Sequence, residues 1–325
     1  MKLDVGKFRI ELMPITQLCG SNFRIKSTVV NSLYKFFSKY KYSENEKNRI
    51  SDILIDDETV GRNYFDTVYI RNLDDILVEM KITKSSLITQ WINEKMGGFE
   101  YATNLEKIAD LLDDIYAQIN KELRDEEIGV HIDYESQDML EILTKSHSDL
   151  CRKNEGLNED NQCQFLISYI NLLTELQKKS PHKQMIIIDN IDHILSRKEY
   201  ETVMSIIEER VKKYDMWFVV TTSIEGYVYI DNVNFTGINV INDEVFTMPE
   251  YEHMRDFIVK NYPYNYVPER CQLLEDLKMI IQKIGDSSSD IKIKKSIYLK
   301  LINKSMGINM SMDKANSLEV AFLLE

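Results

Sequence analysis

Three residues near the N-terminus have the types and spacing of a phosphate-binding loop. In ITQLCGSNFRIKSTVVNSLYKFF, Ile15 to Phe37, an apolar run leads to Gly20, five residues intervene, and Lys26, Ser27 and Thr28 open a helical pattern. A loop of the form G-x-x-x-x-G-K-[ST] between a strand and a helix cradles phosphates with backbone N–H groups and a lysine. Gly20, Lys26 and Ser27 match it, but Ile25 stands where the second glycine belongs. A β-branched residue resists the positive φ that such a loop asks of that glycine. The segment can still offer a helix N-terminus to an anion.

The second half of a nucleotide site would be an acidic residue at the end of an apolar strand, holding Mg²⁺. QMIIIDNIDHIL supplies a degenerate Walker B-like end: Asp189, then Asn190, with Asp192 two residues on. A carboxylate after the strand aspartate could activate water. Asn190 cannot accept a proton at neutral pH. The residues therefore predict a degenerate P-loop kept for folding, with catalytic residues absent. An active ATPase or GTPase is the alternative, and an acidic helical protein-binding scaffold a second one.

The elements that must position these residues follow from periodicity. Residues 7–19 read as a strand pair broken at Met13-Pro14. Val29, Val30, Leu33, Phe36, Phe37 and Tyr40 recur at helical spacing, predicting a helix from about Ser27 to Tyr42 capped by Ser27 or Thr28. SENEKNRISDILIDDETVGRN reads as a polar loop and YFDTVYI as a strand. From Leu73 to about Lys179 a succession of amphipathic patterns predicts a helical insertion, broken at MGGF and EGLNEDNQ. Strands return in MIIID and MWFVVTTS around a helix, with GINVIN as an edge strand, implying a parallel or mixed sheet. Four helices follow Met248. The expected organisation is α/β: a P-loop-like head from residues 1–72 and 181–248, a helical insertion at 73–180 and a C-terminal helical extension at 249–325.

Composition narrows the classes. The chain has 325 residues, 43% hydrophobic and 29% charged, as in a globular protein. No apolar run reaches the roughly 18 residues of a membrane span, and no secretory h-region opens the chain, so the cytosol is the expected compartment. Cys19, Cys151, Cys163 and Cys271 form no C-x-x-C pair, which argues against a zinc or redox motif. The five histidines are scattered, and His131 with Asp133 is a structural pair at most. A net charge of −13 excludes a uniformly basic nucleic-acid binder but not a local basic patch.

Such a patch is present. Between Gly20 and Tyr42 the charges are Arg24, Lys26, Lys35, Lys39 and Lys41, with no acid. Asn31, Lys35 and Lys39 are four apart and share a helix face opposite the apolar stripe. Backbone-phosphate contacts of this kind give salt-sensitive, sequence-independent binding. A second basic run spans Lys292 to Lys304. Elsewhere, Asp125, Glu126, Glu127, Asp133, Glu135 and Asp138 crowd between two predicted helices. Calcium takes six to eight oxygen ligands in irregular geometry, which this density suits, although EF-hand spacing is absent.

The order of parts resembles the CRISPR-associated Csn-two family of type II-A systems in its long form: GSNFRIKST first, a helical insertion after DTVYI, then MIIIDNIDHIL and MWFVVTT. Residues 1–250 correspond to the family core and 251–325 to the extension. The resemblance implies a P-loop-like fold without established hydrolysis, a homotetrameric ring, bound calcium that supports assembly and DNA binding, and affinity for the ends of linear double-stranded DNA. It implies a bacterial cytoplasmic role in spacer acquisition beside the CRISPR integrase complex and the RNA-guided effector nuclease.

Overall fold

The computed structural model describes residues 1–5, 8–38, 40–41, 53–126, 130–132, 162–223, 226–231, 233–242, 244–264, 267–285 and 293–308. The chain divides into two compact units, Met1–Asn72 with His182–Glu325, and Leu73–Pro181.

The first unit holds two sheets. β1 (Lys2–Val5), β2 (Phe8–Glu11), β4 (Ile53–Ile55) and β5 (Glu58–Thr59) form an antiparallel sheet ordered β2-β1-β4-β5. β4 and β5 lie where polarity predicted only loop. Asp56 and Asp57 turn the chain between them with φ of 52° and 67°, the left-handed pair that a tight hairpin needs. The second sheet takes β3 (Ile15–Cys19), β6 (Asp66–Ile70), β7 (Gln184–Ile188), β8 (Met216–Thr221), β9 (Ile238–Ile241) and β10 (Val245–Thr247). Its order is β10-β9-β3-β8-β7-β6, parallel except for β10. Every residue of QMIII and ITQLC is buried, the signature of parallel strands covered on both faces. GINVIN is interior rather than an edge: β9 pairs with β3, and the shorter β10 folds back to form the edge.

α1 (Phe23–Phe37) covers one face of the large sheet. Val29, Val30, Leu33, Phe36 and Phe37 pack with Leu3 and Ile10 of the small sheet, with Leu12 just past it, and with Leu18, Ile187 and Val219. The helix begins four residues earlier than the Ser27 expectation and ends at Phe37, not Tyr42. Asn22 is the better start because its Oδ1 accepts from Ile25 N at 3.1 Å, and the cap leaves Ser27 inside the helix. At the other end Arg62 donates to the carbonyls of Lys35, Phe36 and Tyr40, satisfying the orphan acceptors there. α6 (Arg197–Val211) is set by a capping box between Ser196 and Glu199. It buries Tyr200, Val203, Met204 and Ile207. The C-terminal helices α7 (Tyr251–Asn261), α8 (Arg270–Ile280) and α9 (Ile293–Ser305) share a core with Cys19, Ile238 and Val240.

The second unit contains α2 (Leu73–Met80), α3 (Leu87–Met96), α4 (Phe99–Asp125) and α5 (Gln162–Lys179). α2 and α3 pack on α5, whose Leu166, Tyr169, Ile170 and Leu173 are buried. Gly97 ends α3 and Gly98 precedes α4. The helices expected around residues 136–151 and 312–325 lie outside the described residues.

Candidate functional site: a closed loop and a basic helix face

β3 delivers the chain to Gly20, whose φ is +94°. A Cβ there would sit 2.4 Å from the carbonyl oxygen of Ile241. The glycine is needed because β9 crosses close by. With the helix beginning at Phe23, only Gly20, Ser21 and Asn22 separate strand from helix. Ile25, at the position of the missing second glycine, is helical and under no positive-φ demand.

The amides of Ser21, Asn22, Phe23, Ile25 and Lys26 are occupied. Ser21 donates from its N and Oγ to Asn242 Oδ1, at 2.7 and 2.8 Å. Asn22 N donates to Ile241 O at 3.1 Å, and Asn22 Nδ2 to Asn242 O at 3.0 Å. Phe23 N donates to Ser21 O, Ile25 N to Asn22 Oδ1, and Lys26 N to Asn22 O. Asn242 is itself held by its Nδ2 donating to Ile284 O. The turn between β9 and β10 thus plugs the loop.

Lys26 is only 2% exposed. Its Nζ donates to Gly20 O at 2.7 Å and to Thr222 O at 2.5 Å, and the Phe23 ring lies 4.5 Å away. The expectation that Lys26 faces DNA phosphates is therefore corrected: the ammonium straps the ends of β3 and β8 from inside. Burial lowers its pKa, opposed by Cys19, Asp192 and Asp189 nearby. Burial pushes the Cys19 thiol up to about 12.

Asp189, just past β7, accepts from three donors: Tyr69 OH at 3.0 Å on Oδ2, and Asn190 Nδ2 and the Thr221 hydroxyl on Oδ1. Asn190 adopts φ 49°, which bends the chain out of the strand, and its N donates to Thr221 Oγ1. Asp192 is buried and accepts from Ser223 N at 2.9 Å and from Ser223 Oγ at 2.5 Å. The two aspartates hold the exits of β7 and β8 together. Ser27 and Thr28 are exposed, and Thr28 Oγ1 donates to Arg24 O within the helix.

The exposed face of α1 carries Arg24, Thr28, Asn31 and, half-buried, Lys35, at spacings of four, three and four. Asn31 Nδ2 donates to Ser27 O and Oγ, and Lys35 Nζ lies 4.8 Å from the Tyr40 ring. Lys41 is exposed beyond the helix. Lys39 falls outside the described residues. Since α1 stops at Phe37, the helical face begins with Arg24 instead of ending on Lys39. Sequence reasoning missed Asn242 and Arg62. Their roles depend on chain crossings 22 to 221 residues apart, for which no local pattern exists.

Of the six acidic candidates, Asp125 and Glu126 are exposed at the end of α4. Glu127, Asp133, Glu135 and Asp138 lie outside the described residues. Among the described residues no group of three His, Cys, Asp or Glu side chains could hold a metal ion. The chain returns along α4 after this segment: Asn120 donates from Nδ2 to Ile132 O and accepts from Ile132 N. Among the described residues no helix is long and apolar enough to cross a membrane.

Fold and site together define a mixed α/β protein whose strand–loop–helix frame persists with the amides of its loop, Ser21 and Asn22, already spent. The chain belongs to the CRISPR-associated protein Csn2 family, subfamily St, whose profile matches residues 4–311. A solved structure described as Stu0660 of Streptococcus thermophilus is similar with a TM-score of 0.89 and 22% identity, covering 100% of this chain and 99% of that one. At that identity the likeness is one of fold. No curated protein sequence matches the chain. Family membership implies a role in type II-A CRISPR adaptation.

Proposed function

We propose that the chain binds the ends of linear double-stranded DNA, without enzymatic turnover, as a ring of identical copies acting in spacer acquisition. The observation that carries this reading is the acid-free helix α1, with Arg24, Asn31 and Lys35 on its accessible face in a chain of net charge −13. Repeated by symmetry, such a face lines a surface with positive charge that contacts phosphates and reads no bases. The head is read as a P-loop-like core turned to this use. In support, β8 alone separates the loop strand β3 from the Asp189 strand β7, all three parallel.

The absence of hydrolysis rests on the occupied amides of Ser21, Asn22 and Phe23, the buried Lys26 and the amide at Asn190. Self-association is favoured by α4, which exposes Ile108, Leu111, Ile115 and Ile119 along one side. Calcium at the end of α4 would need oxygen ligands beyond Asp125 and Glu126, which stand beside a helix C-terminus whose carbonyls favour a cation. The integrase complex and the effector nuclease are the expected protein partners.

The direct test is a gel-shift comparison of linear and covalently closed duplex of equal length, with Mg²⁺-ATP turnover measured on the same preparation. Binding that prefers free ends, with no turnover, supports the reading. Turnover abolished by Lys26→Ala would replace it with an ATPase. Retention of neither DNA form would leave the protein-binding scaffold.

A further inference from the structure

The first unit holds a cavity of about 310 Å³ that does not involve the Gly20 loop. It lies between the first turns of α6, residues 226–228 after β8, and the end of α8 with the turn Ile281–Lys283. α6 follows β7, so the segments that leave two adjacent parallel strands both reach it. Open α/β sheets take ligands beyond the carboxyl ends of their strands. The volume is within the range of small-molecule sites.

The lining has two characters. Arg197, Lys278 and Lys283 face one carboxylate, Glu201. With Glu275, which pairs with two of the cations, the balance is one positive charge in excess. Two of these cations are already paired: Glu275 contacts Arg197 at 3.0 Å and Lys278 at 2.7 Å, and Glu201 contacts Lys278 at 3.3 Å and Arg197 at 3.6 Å. The rest is aromatic and apolar. Tyr227 stands with its ring centroid 5.8 Å from that of the buried Tyr200, and Val228 and Met279 complete the wall. Gln282 donates from Nε2 to Gly226 O. Its Oε1 is buried with no partner among the described residues.

We propose that this cavity binds a small anion carrying a flat ring, of the nucleoside monophosphate class. The phosphate lies toward Lys278, Lys283 and Arg197. The ring lies against Tyr227. Phosphate alone forfeits the aromatic wall, and a nucleoside alone forfeits the cations, so the pair should bind tighter than either part.

Calorimetric titration of the full chain with AMP, adenosine and inorganic phosphate tests this. AMP should bind at least about tenfold tighter than either of the others. Lys283→Glu and, separately, Tyr227→Ala should each weaken AMP by about tenfold or more while thermal unfolding stays near that of the parent. Both positions are partly exposed, so their loss should not unfold the chain. No AMP binding at millimolar concentration overturns the proposal. So does equal affinity for AMP and phosphate, equal affinity for AMP and adenosine, or AMP affinity untouched by both substitutions.

Discussion

At the residue scale, Lys26 has the identity of a catalytic lysine and the surroundings of a structural one. Its ammonium is removed from water and compensated by two carbonyls at 2.7 and 2.5 Å. Lys26→Met keeps the aliphatic stem but leaves both acceptors unpaired. It should cost about 1–3 kcal/mol in denaturant unfolding and leave DNA affinity unchanged. Equal stability would show that the strap contributes nothing. Cys19 makes a pH-dependent prediction. In the unfolded chain the thiol ionises near 9.0, and in the folded chain near 12. Between these values only the folded state keeps the proton, so the stability from this thiol is whole below pH 9.0 and shrinks as pH rises toward 12. Lys26 runs oppositely, since its lowered folded pKa makes the buried amine cheaper to keep as pH climbs toward 10.5. Buried Tyr169 and Tyr200, whose ordinary value is 10.0, add their own loss higher up. Between pH 9.0 and 10.0 Cys19 therefore dominates the difference between parent and Cys19→Ala. Unfolding measured across that interval should fall less steeply in the variant, by up to about 1.4 kcal/mol per pH unit. Parallel curves would assign the titration elsewhere.

At the element scale, the loop after β3 is a joint between β3, α1 and the β9–β10 turn. Gly20→Ala places a methyl group against Ile241 O in a left-handed backbone, two faults at once. It should destabilise by more than about 3 kcal/mol or prevent folding. Asn242→Ala removes the acceptor shared by Ser21 N and Oγ without touching α1. It should lower stability by about 1–3 kcal/mol without creating ATP turnover, since Asn190 and the single glycine remain. Turnover in that variant would show that the plug alone silences the site. Much of this architecture is legible locally. QMIII and MWFVVT announce buried strands by continuous apolarity, and α1 announces its buried face by helical spacing. The helix starts before Ser27 because Asn22, two residues after Gly20, is the stronger cap: its side chain accepts from Ile25 N. β4 and β5 were read as loop because three and two residues are too few for a periodic signal in a polar segment. The plug itself could not be read, because Asn242 meets Ser21 only through the parallel pairing of β9 with β3.

At the scale of the whole molecule, an acidic chain approaches DNA only through a local field strong enough to outweigh its net charge. In the proposed ring Arg24, Lys35 and Lys41 would supply that field once per copy, and the number of phosphates neutralised would grow with the number of copies. The logarithm of affinity should fall with the logarithm of salt at about −0.9 for each phosphate contacted. Arg24→Glu with Lys35→Glu should abolish the gel shift and leave the sedimenting mass unchanged, because neither side chain belongs to the core. Assembly should answer to different residues. Ile108→Ser with Ile115→Ser removes apolar surface from a helix that carries it outward. Chelation removes the cation expected near Asp125 and Glu126. Sedimentation of the full chain with and without calcium, and with and without short linear duplex, separates the two sets. If the ring is what holds DNA, the serine variant and the chelated protein should both lose mass and lose DNA together, while the glutamate variant loses DNA alone. A glutamate variant that binds normally would move the interface off α1. A smaller assembly that still shifts linear DNA with full affinity would mean that each copy binds by itself, and the ring would have to be given up.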